Sequence, residues 1–170
     1  MSRTADRDLI AELGYLTLGS RFRRLGERLQ SGVAELARAE GIAAQPAQFP
    51  VLAALAEKPM TIGALVERLD LSQPGITRSV GRLVADGLVE PLAGDGGDMR
   101  QRTVGLSPRG RALLDRANAR IFPHVERAVA AMCAGTGLDL LGYLDRLDAA
   151  LAETPLDQRA RALRDGKGSE

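Results

Sequence analysis

The spacing of the apolar residues changes from helical to extended between residues 61 and 106, and this constrains the fold more than any other feature. Ile62, Leu65, Val66 and Leu69 recur at helical steps behind Thr61, a good N-cap. Ile76, Val80, Leu83 and Val84 do the same behind Ser72, a second cap, with Pro74 tolerated in the first turn. Two short helices joined by the tight Asp70-Leu71 turn are a helix-turn-helix candidate. Leu88 to Leu92 and Arg102 to Leu106 then look like short strands. The bridge from Ala93 to Gln101 carries the Gly and Asp that a hairpin tip requires, so the hairpin forms a wing.

On either side lie longer helical patterns. Leu18, Phe22, Leu25, Leu29, Val33 and Leu36 mark one face of a first helix over residues 8–40. Gly14, Gly19, Gly26 and Gly32 fall inside that span, each costing about 1 kcal/mol against Ala, so either the helix breaks early or another backbone packs close. Close packing is the preferred reading. Gly41 suits a helix stop, and Pro46 and Pro50 suit the opening turn of a helix carrying Val51, Leu52, Leu55 and Ala56. After Ser107-Pro108, Leu114, Ala117, Ile121, Val125, Val129 and Met132 share the face of a fifth helix that Pro123 should bend. Gly135-Thr136-Gly137 ends it, and Leu138, Leu141, Leu144, Leu147 and Leu151 form a sixth. Beyond Pro155 the helical pattern continues to Leu163, and residues 165–170 are expected to be disordered.

The expected fold is therefore mainly α with a small β-hairpin wing: a winged helix-turn-helix over 46–107 and long terminal dimerisation helices over 8–40 and 108–155. The apolar stripes of those terminal helices are more than a winged domain alone can cover, which points to a two-fold homodimer.

With 23 basic and 22 acidic side chains, the 170 residues carry a net charge of +1, which excludes nucleic-acid binding by bulk electrostatics. Charge is concentrated locally instead. Residues 72–85 hold Arg78 and Arg82 and no acid; residues 99–112 hold Arg100, Arg102, Arg109 and Arg111 and again no acid. A helix about 10–12 Å across fits a major groove roughly 12 Å wide, with residues near its start reaching base edges. Ser72, Gln73, Thr77 and Arg78 are so placed: Gln pairs with adenine, Arg with guanine, and hydroxyls with phosphate or base. Ser72 also serves as a plain helix cap. Arg100, at the end of a Gly-rich hairpin, suits a narrow minor groove.

Thr61 to Leu71, then Ser72-Gln73-Pro74-Gly75-Ile76-Thr77-Arg78 with Leu83 and Gly87-Leu88-Val89, then Asp98-Met99-Arg100 with Leu106-Ser107-Pro108-Arg109-Gly110, resembles the winged helix of MarR-family transcriptional regulators. The order of elements is similar over roughly residues 8–155. The resemblance implies a homodimer held by the first, fifth and sixth helices on a pseudo-palindromic operator of double-stranded DNA. Such proteins are typically repressors, usually released by a small-molecule effector or an oxidant. In that pattern the wing arginine, here Arg100, enters the minor groove, and Asp98 orients it by a charge-assisted hydrogen bond. The DNA-contacting set then comprises Ser72, Gln73, Pro74, Thr77, Arg78, Arg82, Asp98, Arg100 and Arg102. A ligand pocket between the long helices and the winged domain is also implied, with Tyr15, Phe22, Phe49 and Phe122 as candidates, although aromatic residues at helical spacing are more often simply core.

Other chemistry finds little support. Cys133 is the only thiol, compatible with a reducing cytoplasm, and beside Met132 in an apolar helix it reads as structural. His124 stands apart from any ligand spacing, so no metal is expected. No phosphate loop, nucleophile triad or paired apolar carboxylates appear, so neither an enzyme nor a cofactor is expected. The first eight residues lack an apolar core, and no apolar run approaches the roughly 20 residues of a membrane span; a cytoplasmic protein without membrane attachment is expected. The rival use of the fold is a protein-interaction module, which has no need of six unopposed arginines.

Overall fold

The computed structural model describes residues 8–92 and 103–166, and the chain divides into two compact units, 1–125 and 126–170. The first unit holds α1 (Leu9–Glu12), α2 (Leu18–Ala39), α3 (Phe49–Glu57), α4 (Ile62–Leu69), α5 (Gln73–Ala85) and α6 (Pro108–Arg120). It also holds a three-stranded antiparallel sheet in the order β1 (Met60–Thr61), β3 (Thr103–Leu106), β2 (Val89–Pro91). Helix α7 (Phe122–Ala134) begins in the first unit and ends in the second, which continues with α8 (Leu140–Glu153) and α9 (Leu156–Arg164).

One apolar cluster holds the first unit together. Helix α3 contributes Phe49, Val51, Leu52, Ala54 and Leu55, all buried, which is why its sequence shows no polar face. Leu65 of α4, Ile76, Val80 and Leu83 of α5, Val89 and Val104 of the sheet, and Leu113, Leu114 and Ala117 of α6 close around it. Each large side chain here contributes about 1.5–3 kcal/mol by leaving water.

The caps form as their residue types dictate. Thr61 and Ser72 accept hydrogen bonds from the Ala64 and Gly75 amides at 3.2 and 3.3 Å. Between those helices Asp70 takes a left-handed conformation, φ +50°, which Asp tolerates better than most side chains. That single residue makes the corner. Helices α2 and α5 end in Schellman turns built on Gly41 and Gly87, both at positive φ, with the buried pairs Ala37 and Ile42, and Leu83 and Leu88, meeting across them.

Three expectations need correction. The first helix is not continuous over 8–40: α1 ends at Glu12, a 3-10 turn runs from Gly14 to Thr17, and Gly14 sits at φ +57°. Within a single chain nothing packs close to the other glycines: a Cβ at Gly19, Gly26 or Gly32 would meet no described atom beyond its own stretch of helix within 4 Å. The fifth helix is divided rather than bent, since Pro123 has no amide proton for the Ala119 carbonyl and its ring crowds that turn. Finally, Met60 and Thr61 form a strand against Val104 and Thr103, a pairing with no counterpart in the sequence reading. Residues 165 and 166 follow α9; 167–170 lie outside the described residues.

The α1 segment is tied to α2 by Arg24, which donates to both oxygens of Asp8 at 2.9 and 2.7 Å and holds that carboxyl below its usual value of 3.8. A depressed carboxyl contributes order above its unfolded pKa and loses it as pH falls through the folded value. Amide-exchange protection of Ala11 and Glu12 should therefore drop below about pH 3.8, while Asp8→Asn shows the weakened protection at every pH. Equal protection in the two proteins at pH 6 would remove the tie.

Candidate nucleic-acid interface

Helix α5 is the element on which the candidate residues converge. At about 100° per residue, Ile76, Val80 and Leu83 occupy one side and are buried. Pro74, Arg78 and Gly81 then fall on the opposite side, with Thr77 and Arg82 flanking them, and all five are exposed. Ser72 and Gln73 are exposed at the N-terminal end, where free amides and the helix dipole favour an anion. Burial of one stripe thus presents the polar stripe to solvent.

The cations differ in how they are held. Arg78 has no hydrogen-bond or ion-pair partner among the described residues, so its guanidinium is free for a ligand. Arg82 donates to Gln45 Oε1 at 3.0 Å, which restrains its fork. Arg111, in contrast, donates to the Ala56 carbonyl at the end of α3, so it caps that helix. Asp98, Arg100 and Arg102 lie outside the described residues.

Gln45 and Gln48 are functional candidates that the sequence reading missed. They bracket a 3-10 turn, Pro46–Gln48, in a capping box in which Gln48 Oε1 accepts from the Gln45 amide at 2.8 Å. The signal was the N-cap to N3 spacing around Pro46. Because Gln45 holds Arg82 without adding charge, Gln45→Ala should weaken DNA binding only about threefold and leave its salt dependence unchanged. Arg82→Ala should also flatten the salt dependence, by about one counterion per lost phosphate contact. Equal slopes for the two variants would deny Arg82 a phosphate.

The turn that follows α5 explains the second half of the motif. Ser107 accepts from the Gly110 amide at 3.0 Å and donates its hydroxyl hydrogen to the Gly87 carbonyl at 2.7 Å, while its own amide donates to Leu88 O at 3.2 Å. One side chain joins the exit of α5 to the start of α6. A Cβ on Gly110 would lie 1.9 Å from Leu88 O, so only glycine fits.

Of the aromatic candidates, Phe49 and Phe122 pack edge to face with ring centroids 5.0 Å apart, and Phe49 is core. Tyr15 is 91% exposed and Phe22 is exposed on α2; neither is brought to that pair. Among the described residues no three His, Cys, Asp or Glu side chains form a group able to hold a metal. No described helix is long and apolar enough to cross a membrane.

Residues 44–100, which span the 3-10 turn, α3, β1, α4, α5 and β2 and run on into residues outside those described, match the family model described as MarR family. Over this segment the chain is similar to the MarR family. The likeness in fold extends well beyond the matched segment. A MarR-family transcriptional regulator from Silicibacter pomeroyi is 29% identical, with a TM-score of 0.53, over 88% of this chain and 98% of that one. A mutant MarR from E. coli, solved in complex with operator DNA, gives a TM-score of 0.62 at 22% identity over 85% of this chain and 99% of that one. A MarR from Staphylococcus aureus, in complex with salicylate and kanamycin, gives 0.58 at 16% identity over 86% and 95%. No curated protein matches the chain in sequence.

Proposed function

We propose that the chain is a homodimeric, sequence-specific transcriptional regulator that binds double-stranded DNA through α5 and represses by occluding a pseudo-palindromic operator in the cytoplasm. The observation that carries this reading is the outward stripe of α5: Pro74, Thr77, Arg78 and Arg82, led by Ser72 and Gln73, with no acidic side chain from 72 to 85. Asp98, Arg100 and Arg102 complete the interface in this reading, the arginines on the minor groove and backbone and Asp98 orienting Arg100. That the E. coli protein was solved on operator DNA supports it.

Dimerisation rests on uncovered apolar surface. In the first unit Leu9, Leu13, Leu16, Phe22, Leu25 and Leu29 are exposed; in the second, Met132, Leu138, Leu141, Tyr143, Leu151 and Leu156 are. Patches of this extent mark interfaces. The segments 8–40 and 108–155 therefore serve as the dimerisation region, and 46–107 as the DNA reader. Leu25→Asp with Leu141→Asp should convert the protein to a monomer in sedimentation and lower DNA affinity by at least about a hundredfold, because a half-site alone loses the second reader. A dimer that persists would remove these faces from the interface. Release by a small effector is part of the reading, supported by the salicylate complex of the S. aureus relative.

The decisive experiment is capture of genomic fragments by the purified protein at about 150 mM salt, where non-specific binding is weak. Retained DNA should share a two-fold-symmetric motif with half-sites roughly 10 base pairs apart. Retention of no common sequence would overturn the reading in favour of a protein-interaction module.

A further inference from the structure

Helix α5 and the turn that ends it hold three glycines, Gly75, Gly81 and Gly87. Two of them have a reason inside the chain. A Cβ on Gly75 would come to 3.1 Å from Ser72 Oγ, the capping atom, and Gly87 supplies the positive φ of the Schellman turn. Gly81 has neither: its φ is ordinary, and no described atom beyond its own stretch of helix lies within 4 Å of a Cβ built there. Glycine in a helix interior is destabilising relative to alanine, and no contact within the described chain offsets this.

What surrounds Gly81 defines what approaches it. Its neighbours on the helix surface are the residues three and four steps away, Thr77, Arg78, Val84 and Ala85, with Arg82 next in sequence. All are exposed and none is acidic, and Gly81 itself lies opposite the buried stripe of Ile76, Val80 and Leu83. An occupant must be thin enough to reach a bare Cα, apolar where it meets Val84 and Ala85, and negatively charged toward the guanidinium groups of Arg78 and Arg82. A strand of DNA has this make-up, with deoxyribose edges alternating with phosphates. A protein helix would pack on Gly81 and Ala85 and leave both cations without an anion.

We propose that Gly81 lets one strand of duplex DNA pass directly against the backbone of α5, and so sets the depth at which Arg78 reaches the base edges. A groove roughly 12 Å wide leaves little clearance around a helix about 10–12 Å across, and a methyl group at residue 81 would hold the helix about 1.5 Å farther out. This role rests on the DNA-binding reading of α5 and adds to it a positioning residue whose contribution is the side chain it lacks.

The test compares the full wild-type chain with Gly81→Ala and Gly81→Leu. Fluorescence anisotropy follows binding to a captured operator fragment and to an unrelated duplex of the same length, and thermal melts follow stability. Gly81→Ala should raise the thermal midpoint by about 2–4 °C and yet weaken operator binding about tenfold. Gly81→Leu, with a bulkier obstruction on an equally exposed site, should weaken it about a hundredfold. Affinity for the unrelated duplex, which depends on phosphate charge and not on depth in the groove, should change by less than about twofold. In an Arg78→Ala background, where no fork is left to deliver, Gly81→Ala should cost at most about threefold more. Wild-type operator affinity in Gly81→Ala would overturn the proposal and leave the regulator reading standing. Equal weakening on both duplexes, or a full tenfold loss in the Arg78→Ala background, would do the same. Capture of no common sequence by the wild type would instead bring down the regulator reading and this role with it.

Discussion

Gly110→Ala should cost more than about 4 kcal/mol and leave the winged helix largely unfolded at room temperature. The added methyl group would stand 1.9 Å from the Leu88 carbonyl oxygen and 2.9 Å from its carbon, both backbone atoms that cannot step aside. Relief would require moving either the start of α6 or the entry of β2. Either shift breaks the Ser107 bonds to Gly87 and Gly110, and Leu88, Leu113 and Leu114 are buried close in sequence to them. Two other glycines supply the contrast. At Gly105 the nearest atom, 3.2 Å away, is a methyl of Leu92, an exposed side chain that can turn, so alanine there should be mild. At Gly81, on the outward side of α5, nothing lies within 4 Å, and Gly81→Ala should stabilise the helix by about 1 kcal/mol. Urea and thermal melts of the three variants check the series. A Gly110→Ala protein that melts within a few degrees of the wild type would refute the account.

Arg78→Ala should lower affinity for the captured operator on the order of a hundredfold while leaving the fold intact. The side chain is exposed, makes no bond within the described chain and lies opposite the buried stripe of α5, so its removal costs the protein little. In the proposed complex with DNA the same freedom would serve recognition. A bidentate guanidinium contact discriminates by about 1–3 kcal/mol, and a two-fold dimer loses it twice. Fluorescence anisotropy against the operator and against versions with each base pair altered should show relaxed preference at one symmetric pair of positions. Unchanged affinity would remove Arg78 from the interface; reduced affinity with unchanged preference and a flatter salt dependence would place it on phosphate.

The stripe of α5 was legible because periodicity is a local property: Ile76, Val80 and Leu83 at steps of four and three turn Arg78 outward whatever the rest of the chain does. The caps at Thr61, Ser72 and Ser107 were local too. What escaped the sequence depends on partners far along the chain. Strand β1 is two residues long, too short to show a period, and exists because Val104 and Thr103 pair with it. Gln45 and Arg82 stand 37 residues apart, and Arg111 and Ala56 stand 55 apart, so neither bond leaves a trace in composition. The early break of the first helix was visible as Gly14, yet its cost was assigned to packing shared by four glycines, whereas only Gly14 has the positive φ that ends the turn.

The leucines left uncovered on α2 and α8 tie the survival of the protein to its abundance. If association buries them, folding and pairing become one equilibrium, and the melting temperature rises with protein concentration. A cell holding only a few copies would then have a protein that is less often bound, less often paired and more often exposed to proteases, so that scarcity clears the last molecules faster than dilution alone.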